Sequence, residues 1–396
     1  MQKIQPYEPE TFGAAAAVEE APLYDVAVIG GGLAGLALSI QLAQQGHSVV
    51  LLEKETYPFH RVCGEYISLE CWDFLERLGY PLAQKNLPII KHLVVSAPGG
   101  SRIEHPLPLG GFGISRYKID SELAVLARES GVQVREAQTV RDVQAHDRYS
   151  TVVCSGGQYR AKLVCGTWGK RSNLDIRWKR PFVEQKPSKL NNYIGVKYHI
   201  RTDAPAGTIA LHNFRNGYCG LSRIEEGKYC LCYLTTADNL RQSGNSISRM
   251  EEQILYRNPF LRQLFREAEF LYKSPLTISQ VSFASKSQTE NHVLLTGDAT
   301  GMITPLCGNG MSMALHGSQI AARLISRFLS GQLSGSELEE RYTRAWKQQF
   351  SGRLQAGRLI QRLFGNEWMT DAFIRAMKPF PGFVSLLIRQ THGKAF

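Results

Sequence analysis

No stretch of this 396-residue chain runs for about 18 residues without a polar interruption, so no transmembrane helix is expected. Acidic residues are comparatively few: 35 Asp and Glu stand against 46 Lys and Arg, a formal net charge of +11. Such an excess calls for a negative partner, whether nucleic acid, an anionic membrane, or an anionic cofactor or carrier. The basic residues are dispersed and no nucleic-acid motif is present, so nucleic acid is not expected. The eight cysteines (63, 71, 154, 165, 219, 230, 232 and 307) form no CxxC pair. Cys230 and Cys232 point two thiols the same way on a strand, which is not a zinc knuckle. Histidines 47, 60, 92, 105, 199, 212, 292 and 392 lack ligand spacing, and His316 falls on an apolar helix face, so no metal site is expected. Scattered cysteines, and a start without a basic segment leading into an apolar one, predict a cytoplasmic protein without a secretory signal. Low complexity is confined to the alanine run within residues 1–22, which read as a mobile tail.

What is present is organised around Tyr24 to Glu53, YDVAVIGGGLAGLALSIQLAQQGHSVVLLE. An apolar, β-branched run, Val26 to Ile29, has strand length and character. Gly30, Gly32 and Gly35 then meet a GxGxxG spacing. Leu36, Leu38, Ile40 and Leu42 carry a helical pattern that Gly46 ends. A second strand, Val49 to Leu52, delivers Glu53. This βαβ order is the one a dinucleotide site needs. Gly30 permits the tight turn, Gly32 lets backbone approach a pyrophosphate, and Gly35 lets helix and strand pack closely. The helix start offers free N–H groups and a positive dipole end to phosphates. Glu53 can accept from both ribose hydroxyls and would repel a 2′-phosphate. The ligand of this motif is therefore FAD or NAD rather than NADP.

A second constellation lies in VLLTGDATGMITPLCGNGMSMALHGSQIAARL. A buried strand presents Asp298 at its C-terminal end, where a carboxylate can accept from a sugar-alcohol hydroxyl. Pro305 fixes the loop. Gly308, Asn309 and Gly310 lead into a helix whose first N–H groups can face an electron-rich ring edge. The alternative for this segment alone is a strand-turn-helix with an Asp cap.

With both motifs in place, residues 24 to 330 resemble the flavoprotein superfamily of para-hydroxybenzoate hydroxylase-type monooxygenases and geranylgeranyl reductases, with flavin-dependent halogenases more distant. The resemblance implies an α/β, glutathione-reductase-like FAD-binding Rossmann domain with a β-rich substrate domain and a helical C-terminal cap. It implies FAD as cofactor and NAD(P)H as electron donor. It places Glu53 on the adenosine ribose, Arg116 of ISRYKIDSEL on the cofactor, Asp298 on the ribityl chain, and Pro305 and Gly308 to Met311 on the isoalloxazine. Further contacts are implied for Leu33, Ala34, Lys54, Arg61 and Val140. GDATG in place of GDAAH, and Arg61-Val-Cys63-Gly64-Glu65 in the loop after the second strand, favour the reductase branch. Trp168 replaces the acid of the middle Gly-Ala-Asp-Gly motif, and the aromatic-Pro segment of the reductase substrate domain is missing, so the substrate differs from the family's best-known one.

The expected division assigns 23–80, 114–180 and 285–330 to the FAD domain, 81–113 and 181–284 to a substrate domain, and 331–396 to C-terminal helices. Gly110 to Gly113 reads as a flexible joint. Cys63 and Cys307 read as packing residues or as a proton donor or redox pair. Glu65 reads as a solvated acid, or as a general acid if burial raises its pKa. From Arg341 the chain carries ten Lys or Arg against Glu367 and Asp371, interspersed with Phe373, Phe380 and Phe383. This stretch is either a helical cap or a face for an anionic membrane. The expected activity is double-bond reduction or hydroxylation of a bulky apolar or aromatic substrate. The alternatives are a halogenase-related enzyme and a non-catalytic flavin-binding protein.

Overall fold

The computed structural model describes residues 22–185, 191–304, 308–363, 367–391 and 393–396. The N-terminal segment read as a tail, Pro305 and Cys307 lie outside them. Two sheets organise the chain. The core of the first is parallel, in the spatial order Val293–Leu295, Gly157–Gly166, Leu23–Ile29, Val49–Leu52, Gln133–Arg135. The strands Val140–Ala145 and Ser150–Cys154 form an antiparallel meander with Gly157–Gly166.

Strand alternation decides what covers each face. Val26, Val28, Val49 and Leu51 point to the side covered by the helices Leu33–Gln44, Arg116–Glu129 and Gly310–Leu329. Ala27, Ile29, Val50 and Leu52 point to the side covered by the meander and Leu174. Leu36, Leu38, Ile40 and Leu42 are fully buried, because their helix lies between the sheet and its two neighbouring helices. Each such side chain contributes about 1.5–3 kcal/mol.

The second sheet is mostly antiparallel and runs Glu269–Phe270, Tyr193–Arg201, Tyr229–Thr236, Gly217–Arg223, Thr208–Phe214, Ile89–Ser96, Arg102–Gly113, Tyr66–Ser68. Leu276–Val281 pairs with Tyr193–Arg201. The same alternation sorts polarity here. Val196, Tyr198, Ile200, Leu231 and Tyr233 pack beneath Met250, Ile254 and Leu261. Lys197, His199, Ser222 and Cys230 take the opposite face. His199 is in register with Cys230, and Cys230 with Ser222, so one row crosses three strands.

The Gly110 to Gly113 joint is instead the end of a strand. Its glycines are required by close approach: a Cβ on Gly111 would lie 2.3 Å from the Tyr66 ring, and one on Gly113 1.8 Å from the Arg223 carbonyl. The helix Pro259–Glu267, absent from the sequence reading, starts at Asn258, whose side chain caps it. The long helix Gly335–Leu363 folds back on the first unit, with Tyr342 donating to the Leu295 carbonyl (2.6 Å) and Trp346 and Phe350 joining its core.

Candidate cofactor cleft and its polar network

The turn after the first strand is built by contact. Gly30 has φ +107°, and a Cβ there would meet the Thr167 carbonyl at 2.7 Å. A Cβ on Gly35 would lie 2.0 Å from the Gly30 carbonyl, so helix and strand are as close as the spacing implies. Gly32 caps the helix without a side-chain bond, and the nearest atom to a Cβ there is the Arg116 guanidinium at 3.4 Å. Leu33 and Ala34 follow, both buried, and Ala34 faces Gly297 of the second motif. The two motifs therefore meet.

Glu53 is buried at the end of its strand. Its carboxylate accepts from the Gly31 N–H (2.7 Å), the Glu55 N–H (3.0 Å) and Arg61 (3.0 Å). A carboxylate has about four acceptor sites, so capacity remains. Arg61 also reaches Asp120 (3.1 Å), which holds Arg116 through two bonds of 2.8 and 2.7 Å. Asp120 thus clamps both arginines. Its spacing of four from Arg116 is the signal in the sequence that marks it.

Gly297, Asp298, Gly301, Ile303, Gly310, Met313, Ala314 and Trp346 line a cleft at the other motif. Burial pushes the Asp298 carboxyl up, while Lys286, Lys170 and Arg116 pull it down. The Lys286 ammonium donates to the Asp298 backbone carbonyl at 2.8 Å. Burial lowers both Lys170 and Lys286 to about 8. Neither lysine was singled out from sequence. Gly308 has φ +69° against the Tyr66 ring, and Asn309 is the fully buried residue before the helix Gly310–Leu329. Met311 places its sulfur 3.6 Å from the Cys63 sulfur. Two expected residues do not join this group by their side chains. Lys54 is at the surface, paired with Glu55 (3.5 Å), and Val140 is buried in the core beside Ile29 and Leu52.

The loop between the sheets corrects the reading of Glu65. Its side chain is 0% exposed and meets the Lys197 ammonium, also 0% exposed, and His199 at 2.6 Å. Burial alone would raise its carboxyl, but Lys197 and His199 outweigh burial and hold it at about 2. It is a carboxylate, neither solvated nor a general acid. Tyr272 bridges His199 (2.7 Å) to the partly exposed His60 (3.2 Å). Three donors of the second sheet also grip the loop backbone: Lys197 to Arg61 (3.1 Å), Cys230 to Cys63 (3.2 Å) and Ser222 to Gly64 (2.9 Å). Burial pushes the Cys63 thiol up, so it stays protonated. Glu65, His199 and Cys230 bring ligand-type atoms within 4.8 Å of one another, the one such group among the described residues. The Lys197 ammonium on the same carboxylate takes the position a cation would need, so the group is an ion-pair network.

Residues 23–349 match the family described as FAD binding domain. The chain belongs to this family. It is an FAD-dependent oxidoreductase. Among curated relatives of the family, it is 25% identical to conditioned medium factor receptor 1 of Dictyostelium discoideum, over 84% of this chain and 69% of that one. It is 24% identical to digeranylgeranylglycerophospholipid reductase 2 of Methanothermobacter thermautotrophicus, over 90% of this chain and 92% of that one. A solved flavin-dependent brominase superposes with a TM-score of 0.76 at 20% identity, covering 95% of this chain and 94% of that one, a likeness of fold. The cleft fits the family's cofactor: backbone at Gly32 is open to approach, two helix starts converge, and the Glu53 carboxylate keeps acceptor capacity. Among the described residues no helix is long and apolar enough to cross a membrane.

Proposed function

We propose that the protein reduces a carbon–carbon double bond of a bulky apolar substrate, with NAD(P)H as electron donor. FAD would lie with its pyrophosphate at Gly30, Gly32, Leu33, Ala34 and Gly35. Glu53 would take its ribose, Arg61 and Arg116 would flank it, Asp298 would take the ribityl chain, and Gly308 to Met311 the ring. When bound, the flavin supplies the hydride; the chain supplies position, dryness and the proton. The observation that carries the reading is the Cys63 thiol. It is held protonated by burial, gripped through its carbonyl by Cys230, and set against Met311 at the start of the ring-side helix. Saturating a double bond needs a proton on the second carbon, and a neutral thiol at this place can give one. The hydrogen-bonded series His60, Tyr272, His199 and Glu65 connects the same loop to solvent. Similarity along most of the chain to a digeranylgeranylglycerophospholipid reductase also supports the reading.

The test is anaerobic reduction of the purified protein, followed by a polyprenyl alkene or by air with an aromatic substrate. The expected result is reoxidation of the flavin by the alkene without oxygen, with one double bond lost per flavin and slower turnover in Cys63→Ala. Oxygen-dependent insertion of one oxygen atom into the aromatic substrate would overturn the proposal in favour of hydroxylation.

A further inference from the structure

Six of the eleven large apolar side chains that stand exposed among the described residues fall between positions 359 and 386: Leu359, Trp368, Met369, Phe380, Phe383 and Leu386. Trp368 is 78% exposed and Phe380 60%. This does not come from helices that failed to dock. In Glu367–Met377, Ile374 is 1% exposed and packs with Phe283 and Met302; in Pro381–Thr391, Val384 is buried and Ser385 bonds His105 at 3.0 Å. Each helix has an inner face that is satisfied and an outer face that is apolar as well.

Basic charge predominates around that outer face. Arg375, Lys378 and Arg389 are exposed beside it. The two acids each have a partner at the surface: Glu367, with its side chain 38% exposed, lies 3.9 Å from Arg257, and Asp371 accepts from the Gly99 N–H (3.1 Å). No acidic residue follows Asp371. Exposed aromatics with a basic rim and no spanning helix are the features of a segment that lies in a bilayer interface. A protein partner needs no such basic rim, whereas an anionic lipid surface does.

We propose that the outer face of Glu367–Met377 and Pro381–Thr391 docks the protein on an anionic bilayer, with Trp368, Phe380 and Phe383 inserted and Arg375, Lys378 and Arg389 on the headgroups. The inner face gives this docking a use, on the reading above that the substrate is apolar. Ile374 packs on Met302, and the next residue, Ile303, lines the cleft. A lipid-borne substrate would thus leave the bilayer close to that cleft.

The test uses the flavin-loaded full chain and sedimentation with vesicles of neutral phosphatidylcholine or of phosphatidylcholine with phosphatidylglycerol. The expected result is pelleting with anionic vesicles only, weakened by high salt. The triple variant Arg375→Gln, Lys378→Gln, Arg389→Gln lowers partition about a hundredfold, from roughly fivefold per basic residue. Trp368→Ala with Phe380→Ala lowers it while leaving flavin absorbance unchanged. Equal binding to both vesicle types, binding to neither, or a dimer in light scattering that the Trp368→Ala, Phe380→Ala variant dissolves would overturn the proposal. Alkene reduction with a detergent-dispersed substrate is read in parallel, so failure of docking and failure of the reductase reading are distinguishable.

Discussion

Glu53 and Glu65 are both buried carboxylates at the two ends of one loop, and both hold a cation and a backbone N–H. They differ in where their partners come from and in what is left over. Glu53 is met by groups at sequence separations of 22, 8 and 2, and its cation Arg61 remains partly exposed. Glu65 is met by Lys197 and His199, at separations of 132 and 134, with no exposure on either the acid or the lysine. The first arrangement leaves a carboxylate open to a ligand. The second spends the whole charge on fastening the end of the loop to the second sheet.

The comparison is broken most easily at Lys197. Lys197→Met leaves the Glu65 carboxylate buried without its ammonium, which costs about 3–5 kcal/mol. Urea denaturation checks this, and the pair Lys197→Met, Glu65→Gln is expected to recover most of the loss. A single variant of unchanged stability would reduce the network to surface-like pairing.

Acid titration probes the same charge. The Glu65 carboxyl is held at about 2, against an ordinary 4.5. Its contribution is therefore complete above pH 4.5 and is lost as pH falls through 2. It amounts to about 3 kcal/mol. Glu65→Gln should flatten the stability profile in that window; an unchanged slope there would assign acid lability to other groups.

The Glu53 end is expected to answer in ligand affinity rather than in folding. Glu53→Arg removes a charge-assisted acceptor worth roughly 1.5–3 kcal/mol, or about tenfold to a hundredfold in FAD affinity. Flavin release followed by fluorescence titration measures it. Full affinity would mean that the carboxylate serves only Gly31 and Arg61. Asp120→Asn turns one of two acceptor oxygens into an N–H donor, so it loses bonds from Arg61 or Arg116 together with the charge they share. It should cost about 1.5–3 kcal/mol of stability, seen as a downward shift of the thermal midpoint.

The same contrast explains what could be read before any coordinates. The βαβ unit, the Val293–Leu295 strand and the Gly310–Leu329 helix follow from apolar period and glycine spacing, which are local. The meeting of Ala34 with Gly297 follows from two motifs that share one cofactor. Lys197, His199 and Cys230 carried no local signal. Their common face is set by register across three strands, which strand periodicity restricts but does not choose. Glu65 was misread for that reason: burial was foreseen, but the cations that reverse its effect were not. Gly110, Gly111 and Gly113 were misread because a joint and a tight strand contact ask for the same residue.

The loop from Arg61 to Glu65 leads from the first sheet into Tyr66–Ser68 of the second, and its carbonyls are gripped by side chains of the second. Mechanically it is a lever with its fulcrum at Glu53 and its handle on the other sheet. Any sliding of the second sheet against the first drags the Cys63 backbone with it, while Arg61 stays tethered to Glu53 and Asp120. A displacement of the second sheet relative to Glu53 would therefore reach the Cys63 backbone through these three bonds.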